Sequence, residues 1–187
     1  MVLIQTQVAS SYYTILPQKV EVRLILGSIP IKHGYLDWAL NESMRTMTVT
    51  PRIGRIPNQD ILVNGTYVVP KGIPVMMALH EIHHDKKLWG DPEVFRPERF
   101  DPTSDEFKSR HRYAFMPFGG GARKCIGYRF ALMEMKTALI VLYRKFKFTI
   151  DTAKTSEPVR CDFHVTQDPI GGVYMKAHLR TDFQTAA

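Results

Sequence analysis

The 187-residue chain has a formal net charge of +7, is 44% hydrophobic and 23% charged, and holds two cysteines. That composition suits one globular domain with enough apolar material for a core, and it excludes disorder, low complexity and a disulfide framework. The opening Met1-Val2-Leu3-Ile4-Gln5 turns polar too soon for a secretory leader, and no run reaches the ~18 apolar residues of a membrane span, so the chain reads as soluble or peripheral.

Residues 1–34 carry no assignable role; within them Val20–Leu26, bracketed by Pro17 and Pro30, suits a strand or a short helix. The spacing of Leu36, Leu40, Met44 and Met47 predicts a helix over 35–47. On it Glu42 and Arg45 stand i,i+3 and share a face, which permits an ion pair. Arg52 and Arg55 follow, ahead of two apolar runs, 60–63 and 66–70, placed about Asn64-Gly65. Asn-Gly between β-branched runs predicts a hairpin.

Residues 73–79 read as a strand ending near Leu79. Directly after it, His80-Glu81-Ile82-His83-His84 satisfies H-E-x-x-H, in which two histidines on one helical face bind zinc and the glutamate is the general base. Glu98 or Glu106 is available as a third ligand, so a zinc metallohydrolase is one functional class open to this chain. The β-branched and proline signals upstream argue for strand instead. Residues 91–102 are punctuated by Pro92, Pro97 and Pro102 and predict irregular backbone containing Pro97-Glu98-Arg99-Phe100.

The stretch Phe118-Gly119-Gly120-Gly121-Ala122-Arg123-Lys124-Cys125-Ile126-Gly127 places a cysteine behind a glycine-rich loop at the mouth of an apolar helix. The positive end of a helix favours a thiolate, and glycines let a backbone pass close to a ligand. The helix is expected to reach about Phe146, with Ile126, Phe130, Met133, Thr137, Ile140 and Leu142 as its core face and Ala131 and Ala138 allowing close packing. Strands are expected at 146–150, 159–165 and 173–177, with turns at Asp168-Pro169 and Gly171-Gly172; Cys161 falls in the second strand.

Phe118, Gly121, Arg123, Cys125 and Gly127 match the haem-binding signature F-x-x-G-x-R-x-C-x-G, and in this the chain resembles the cytochrome P-450 family. Glu42 and Arg45 resemble that family's E-x-x-R helix, and residues 97–100 its P-E-R-F motif; where the family usually has proline after the helix, this chain has Thr48. The resemblance runs from residue 35 to about 180 and is nearest to the microsomal, eukaryotic kind. It implies an α+β architecture: the C-terminal part of the P-450 fold, helices flanking the haem loop plus small β-hairpins, incomplete relative to the family. Residues 1–34 then stay unassigned, and 35–187 form the haem-binding part.

The resemblance also implies roles. Cys125 is the axial thiolate of the iron of haem b, Phe118 shields the sulfur, Gly121 and Gly127 clear space beside the ring, and Arg123 pairs with a propionate. Arg55 is the candidate for a second propionate contact, with Arg52 next. Arg99 joins Glu42 and Arg45 in a buried triad. The implied reaction inserts one oxygen atom of O2 into a small hydrophobic substrate, with electrons from NADPH through a flavoprotein reductase. It implies the cytosolic face of the endoplasmic reticulum membrane, although this chain shows no anchor and nothing like the family's distal helix. A non-catalytic haem-binding module is the alternative.

The basic excess finds no nucleic-acid motif to serve. Lys108, Arg110, Arg112, Arg123, Lys124, Arg129 and Lys136 cluster around Cys125 in the sequence, and read either as a solvated face or as a docking surface for an acidic redox partner.

Overall fold

Helix α1 (Tyr35–Thr46) forms where the apolar spacing placed it, with Asp37 in its first turn and Arg45 in its last, each favourable to the helix dipole. The computed structural model describes residues 34–156, 159–163 and 165–181; Val20–Leu26 lies outside them. After α1 come β1 (Arg52–Arg55), β2 (Ile61–Val63), β3 (Tyr67–Val69) and β4 (Val75–Ala78). Two short helices follow, α2 (Leu79–His83) and α3 (Lys86–Trp89), then a 3-10 turn at Pro97–Phe100 and helix α4 (Asp105–Ser109). A second 3-10 turn, Gly121–Arg123, precedes the long helix α5 (Tyr128–Lys145), and β5 (Phe146–Ile150), β6 (Cys161–Phe163), β7 (Gln167–Pro169) and β8 (Met175–Leu179) complete the order.

Among the described residues the strands pair as four separate antiparallel ribbons, β1 with β4, β2 with β3, β5 with β8 and β6 with β7. The hairpin at Asn64-Gly65 is present: both residues take positive φ, 53° and 68°, the conformation that Asn-Gly supplies most readily. Two-stranded ribbons are marginal by themselves, so the fold needs its helices and buried polar contacts to hold them. The architecture is mixed α+β.

Two apolar clusters anchor the helices. Ala39 and Leu40 of α1 are buried with Tyr35, Leu36, Met135 and Leu139 packed around them. Trp89, Phe100 and Ala114 form the other, joined by Trp38 and Phe115. Because Trp38 and Leu40 are on α1, that helix contributes to both. The Trp89 Nε1–H donates to Ile82 O at 3.0 Å, so burying its indole leaves no donor unpaired.

Two expectations are corrected. The core face of α5 is Met135 and Leu139, which pack on α1, and Ile140, which is buried. Ile126, Phe130 and Met133 are 103%, 65% and 60% exposed. Helix α5 carries apolar residues on two stripes, and periodicity could not say which one α1 would cover. The turn expected at Asp168-Pro169 is strand: β7 pairs Asp168 with Asp162 and Pro169 with Cys161. Proline is admitted there because it ends the strand, and Ile170 N–H continues the pairing to Arg160 O at 2.8 Å.

Candidate functional site

Glu42 is the centre of a buried ionic network. Arg45 grips it with two bonds, Nε to Oε2 at 2.8 Å and Nη2 to Oε1 at 2.9 Å. From the Pro97–Phe100 turn, Arg99 Nε reaches Oε1 at 3.2 Å, and the Arg96 backbone N–H donates to the same oxygen at 2.9 Å. All three ionic side chains are fully buried. The structure thus brings Glu42, Arg45 and Arg99 together in one buried network.

One carboxylate cannot satisfy two guanidinium forks. Arg45 spends its other donors on His83 O at 2.8 Å and Pro92 O at 2.7 Å. Arg99 donates to the carbonyls of Trp89, Asp91 and Val94 and to Asp91 Oδ1 at 2.8 Å. This explains why 91–102 is irregular: its carbonyls turn inward to serve two buried cations, which no helix or strand would allow. The hydrogen bond from Arg99 holds the exposed Asp91 carboxyl below its ordinary range.

Sequence reasoning missed the outer members. Glu106 accepts from Arg96 at 2.8 Å and from Arg110 at 2.8 Å, and lies 3.6 Å from Arg99. Arg110 also donates to Arg99 O at 2.9 Å, and its guanidinium stands 4.1 Å from the Trp89 ring centroid. The i,i+4 spacing of Glu106 and Arg110 was the available signal. Arg110 thus leaves the set of surface cations, as does Lys136, which is mostly buried and paired with Asp37 of α1.

The cysteine loop is closed by backbone bonds. Gly119 N–H donates to Met116 O at 3.0 Å, Cys125 N–H to Phe118 O at 3.0 Å, and Lys124 N–H to Gly121 O at 3.1 Å. Gly119 and Gly121 take φ of 73° and 68°, so the path of the loop requires glycine at both. Gly127 caps α5, so Cys125 lies in the turn ahead of the helix, and its side chain is exposed. Phe118 is partly buried, its ring 6.2 Å from that of Tyr128. Lys124 Nζ sits 3.6 Å from the Tyr128 centroid, and Arg123 is exposed.

Strand β1 runs beside this loop, since a Cβ at Gly119 would lie 4.0 Å from Ile53 Cδ1. Arg55 shares the strand face of Ile53 by the two-residue period, and is exposed with Nη1 on Gly54 O at 2.7 Å. Arg52 falls on the other face, where it lies 3.8 Å from Glu81.

The H-E-x-x-H stretch is occupied otherwise. His84 Nδ1 is 2.8 Å from His80 O, the two rings stack with centroids 4.2 Å apart, and Glu81 faces Arg52. Glu106 is committed to arginines. Among the described residues no group of three or more His, Cys, Asp or Glu is placed to hold a metal ion. The zinc-hydrolase expectation is corrected accordingly.

An exposed thiol, two glycines (Gly121 and Gly127) whose Cβ would meet nothing within 4 Å, and exposed Ile126 and Phe130 beside them form an open, apolar, thiol-bearing surface. This donor set fits a flat metalloporphyrin held by one thiolate.

An exposed thiol on a glycine-rich loop and a buried Glu42–Arg45–Arg99 network on the same chain suit the haem-thiolate class of protein. Comparison with known proteins agrees: the Cytochrome P450 family model matches residues 32–173. The chain is 38% identical over 153 residues to cytochrome P450 3A16 of Mus musculus, a match covering 82% of this chain and 30% of that protein. It is 39% identical over 146 residues to cytochrome P450 3A5 of Homo sapiens, covering 78% and 28%. With probable cytochrome P450 6a14 of Drosophila melanogaster the identity is 38% over 146 residues, covering 76% and 28%. This chain belongs to the cytochrome P450 family. It spans less than a third of the length of these relatives.

Proposed function

We propose that residues 35–187 are the C-terminal, haem-binding part of a monooxygenase that inserts one oxygen atom of O2 into a small hydrophobic substrate. Electrons come from NADPH through a flavoprotein reductase, at the cytosolic face of the endoplasmic reticulum membrane. The observation that carries this reading is the exposed Cys125 on a loop whose glycines leave the space in front of it open. Family membership supports the reaction class. No helix among the described residues is long and apolar enough to cross a membrane.

In this reading Cys125 would hold haem b through its thiolate. The Cys125–Phe118 backbone bond fixes the height of the sulfur, while Phe118 limits the access of water to it. Gly121 and Gly127 admit the ring edge, and Arg123 and Arg55 neutralise propionates. When bound, the haem supplies reductive activation of dioxygen, which its thiolate ligand promotes. The triad of Glu42, Arg45 and Arg99 acts from beneath, holding the segment that leads to the loop.

The alternative for the 187 residues taken alone is a haem-binding module without turnover. One experiment separates these. The chain is expressed with haem supplied, reduced under carbon monoxide and scanned, then assayed with reductase and NADPH. A red-shifted thiolate band that disappears in Cys125→Ser supports the site; steady NADPH-dependent oxidation supports the enzyme, and the band without turnover supports the module. Pigment unchanged by Cys125→Ser refutes both.

A further inference from the structure

We propose that His83 is a positioning residue: its imidazole, locked by the Thr48 hydroxyl, fastens the buried Glu42–Arg45–Arg99 network to the loop that presents Cys125. His83 is fully buried and uses both ring nitrogens. The Met116 backbone N–H lies 3.1 Å from Nε2 and is only a donor, so Nε2 is the bare nitrogen. The neutral ring therefore carries its proton on Nδ1, which donates to Thr48 Oγ1 at 2.9 Å. Thr48 in turn donates to Arg45 O at 3.1 Å, and Arg45 Nη1 returns a bond to His83 O at 2.8 Å.

The relay continues past the ring. Met116, held by its N–H, accepts Gly119 N–H on its carbonyl, and the adjoining Phe118 carbonyl accepts Cys125 N–H. Each link has one donor and one acceptor, so the hydrogen-bond direction is set from Met116 N–H to Arg45 O. Phe115 packs on the imidazole with ring centroids 5.4 Å apart, which keeps the ring from turning over. Only a side chain with an acceptor at position 48 can take the Nδ1 proton, and the Thr48 hydroxyl supplies it. The lock is thus a property of this chain's own residue. Burial together with the neighbouring His84, Arg45 and His80 keeps the ring neutral, its pKa lowered to about 3.

The inference concerns the protein without haem as much as with it, and its test does not depend on the proposed function. In the full 187-residue chain, nitrogen-15 NMR of His83 is expected to show the Nδ1–H tautomer; an Nε2–H tautomer or a charged ring at pH 7 overturns the proposal. Amide hydrogen exchange then reads the loop. His83→Gln, which keeps an acceptor for Met116 N–H, is expected to leave Met116, Gly119 and Cys125 protected, whereas His83→Phe lowers their protection tenfold or more with Leu40 unaffected. Thr48→Val, which keeps the ring and removes its lock, gives a smaller loss at the same amides and remains informative where His83→Phe does not fold. Loop amides unchanged in a folded His83→Phe, or in Thr48→Val, overturn it. Where haem binds, the same variants are expected to lower its occupancy in the same order.

Discussion

Arg99 Nε and Glu42 Oε1 stand 3.2 Å apart although 57 residues separate them, and neither side chain has any exposed surface. This bond joins α1 to the Pro97–Phe100 turn. The contact lets one helix organise a proline-rich segment whose own backbone bonds are confined to short turns.

Removing the acceptor should be severe. Glu42→Ala leaves Arg45 and Arg99 buried without their shared counter-charge, which costs ~3–5 kcal/mol. Urea unfolding should show a midpoint shift of that size, or no cooperative transition. A loss under 1 kcal/mol would mean that the backbone carbonyls alone satisfy both guanidinium groups.

Stability should rise with pH between about 3 and 6.5. The folded His83 ring has its pKa lowered from 6.5 to about 3, first by burial and then by His84, Arg45 and His80. In that window the unfolded chain binds the extra proton, so stability is complete above the unfolded value and is lost as pH falls. At pH 5 the loss is about 2 kcal/mol. His80 shifts in the same direction, burial again first. Urea midpoints at pH 7, 6 and 5 measure the slope; in His83→Gln the part due to this ring should vanish, and an equal slope would reassign it.

Gly127 separates folding from ligand binding. Its φ is −88° and a Cβ there would meet nothing within 4 Å, so Gly127→Ile should cost only about 1 kcal/mol, the loss of glycine at the N-cap of α5. The same side chain would stand in the space assigned to the haem edge. Haem titration of the variant should fall well below that of the parent, while intact binding would move the ring elsewhere. Gly121→Ala, at φ 68°, should cost ~1–2 kcal/mol by strain alone.

Arg110→Lys should destabilise by ~1–2 kcal/mol. A lysine cannot serve Arg99 O and Glu106 together while lying flat over Trp89. A thermal melt within a degree of the parent would return Arg110 to the surface cations.

Local features were legible wherever one residue type answers one backbone need. Asn64-Gly65 announced its hairpin and the Leu36–Leu40–Met44 spacing its helix. Glu42, Arg45 and Arg99 were found through motif resemblance. The contacts of Glu106, Arg110, Thr48 and His83 were not legible, because each depends on where distant backbone carbonyls and amides come to rest. Helix α5 failed for a related reason: with two apolar stripes, its inward face depends on its neighbour.

The sequence by itself determined the family, the cysteine and its glycine loop, the two long helices and the Asn64-Gly65 hairpin, since these rest on residue type and short spacing. Only the tertiary structure decided that His83 serves the loop rather than a metal. It also decided that Arg110 is internal and that Ile126, Phe130 and Met133 face outward. Those outcomes follow from long-range placement, where a donor meets its acceptor only after the chain has folded back on itself.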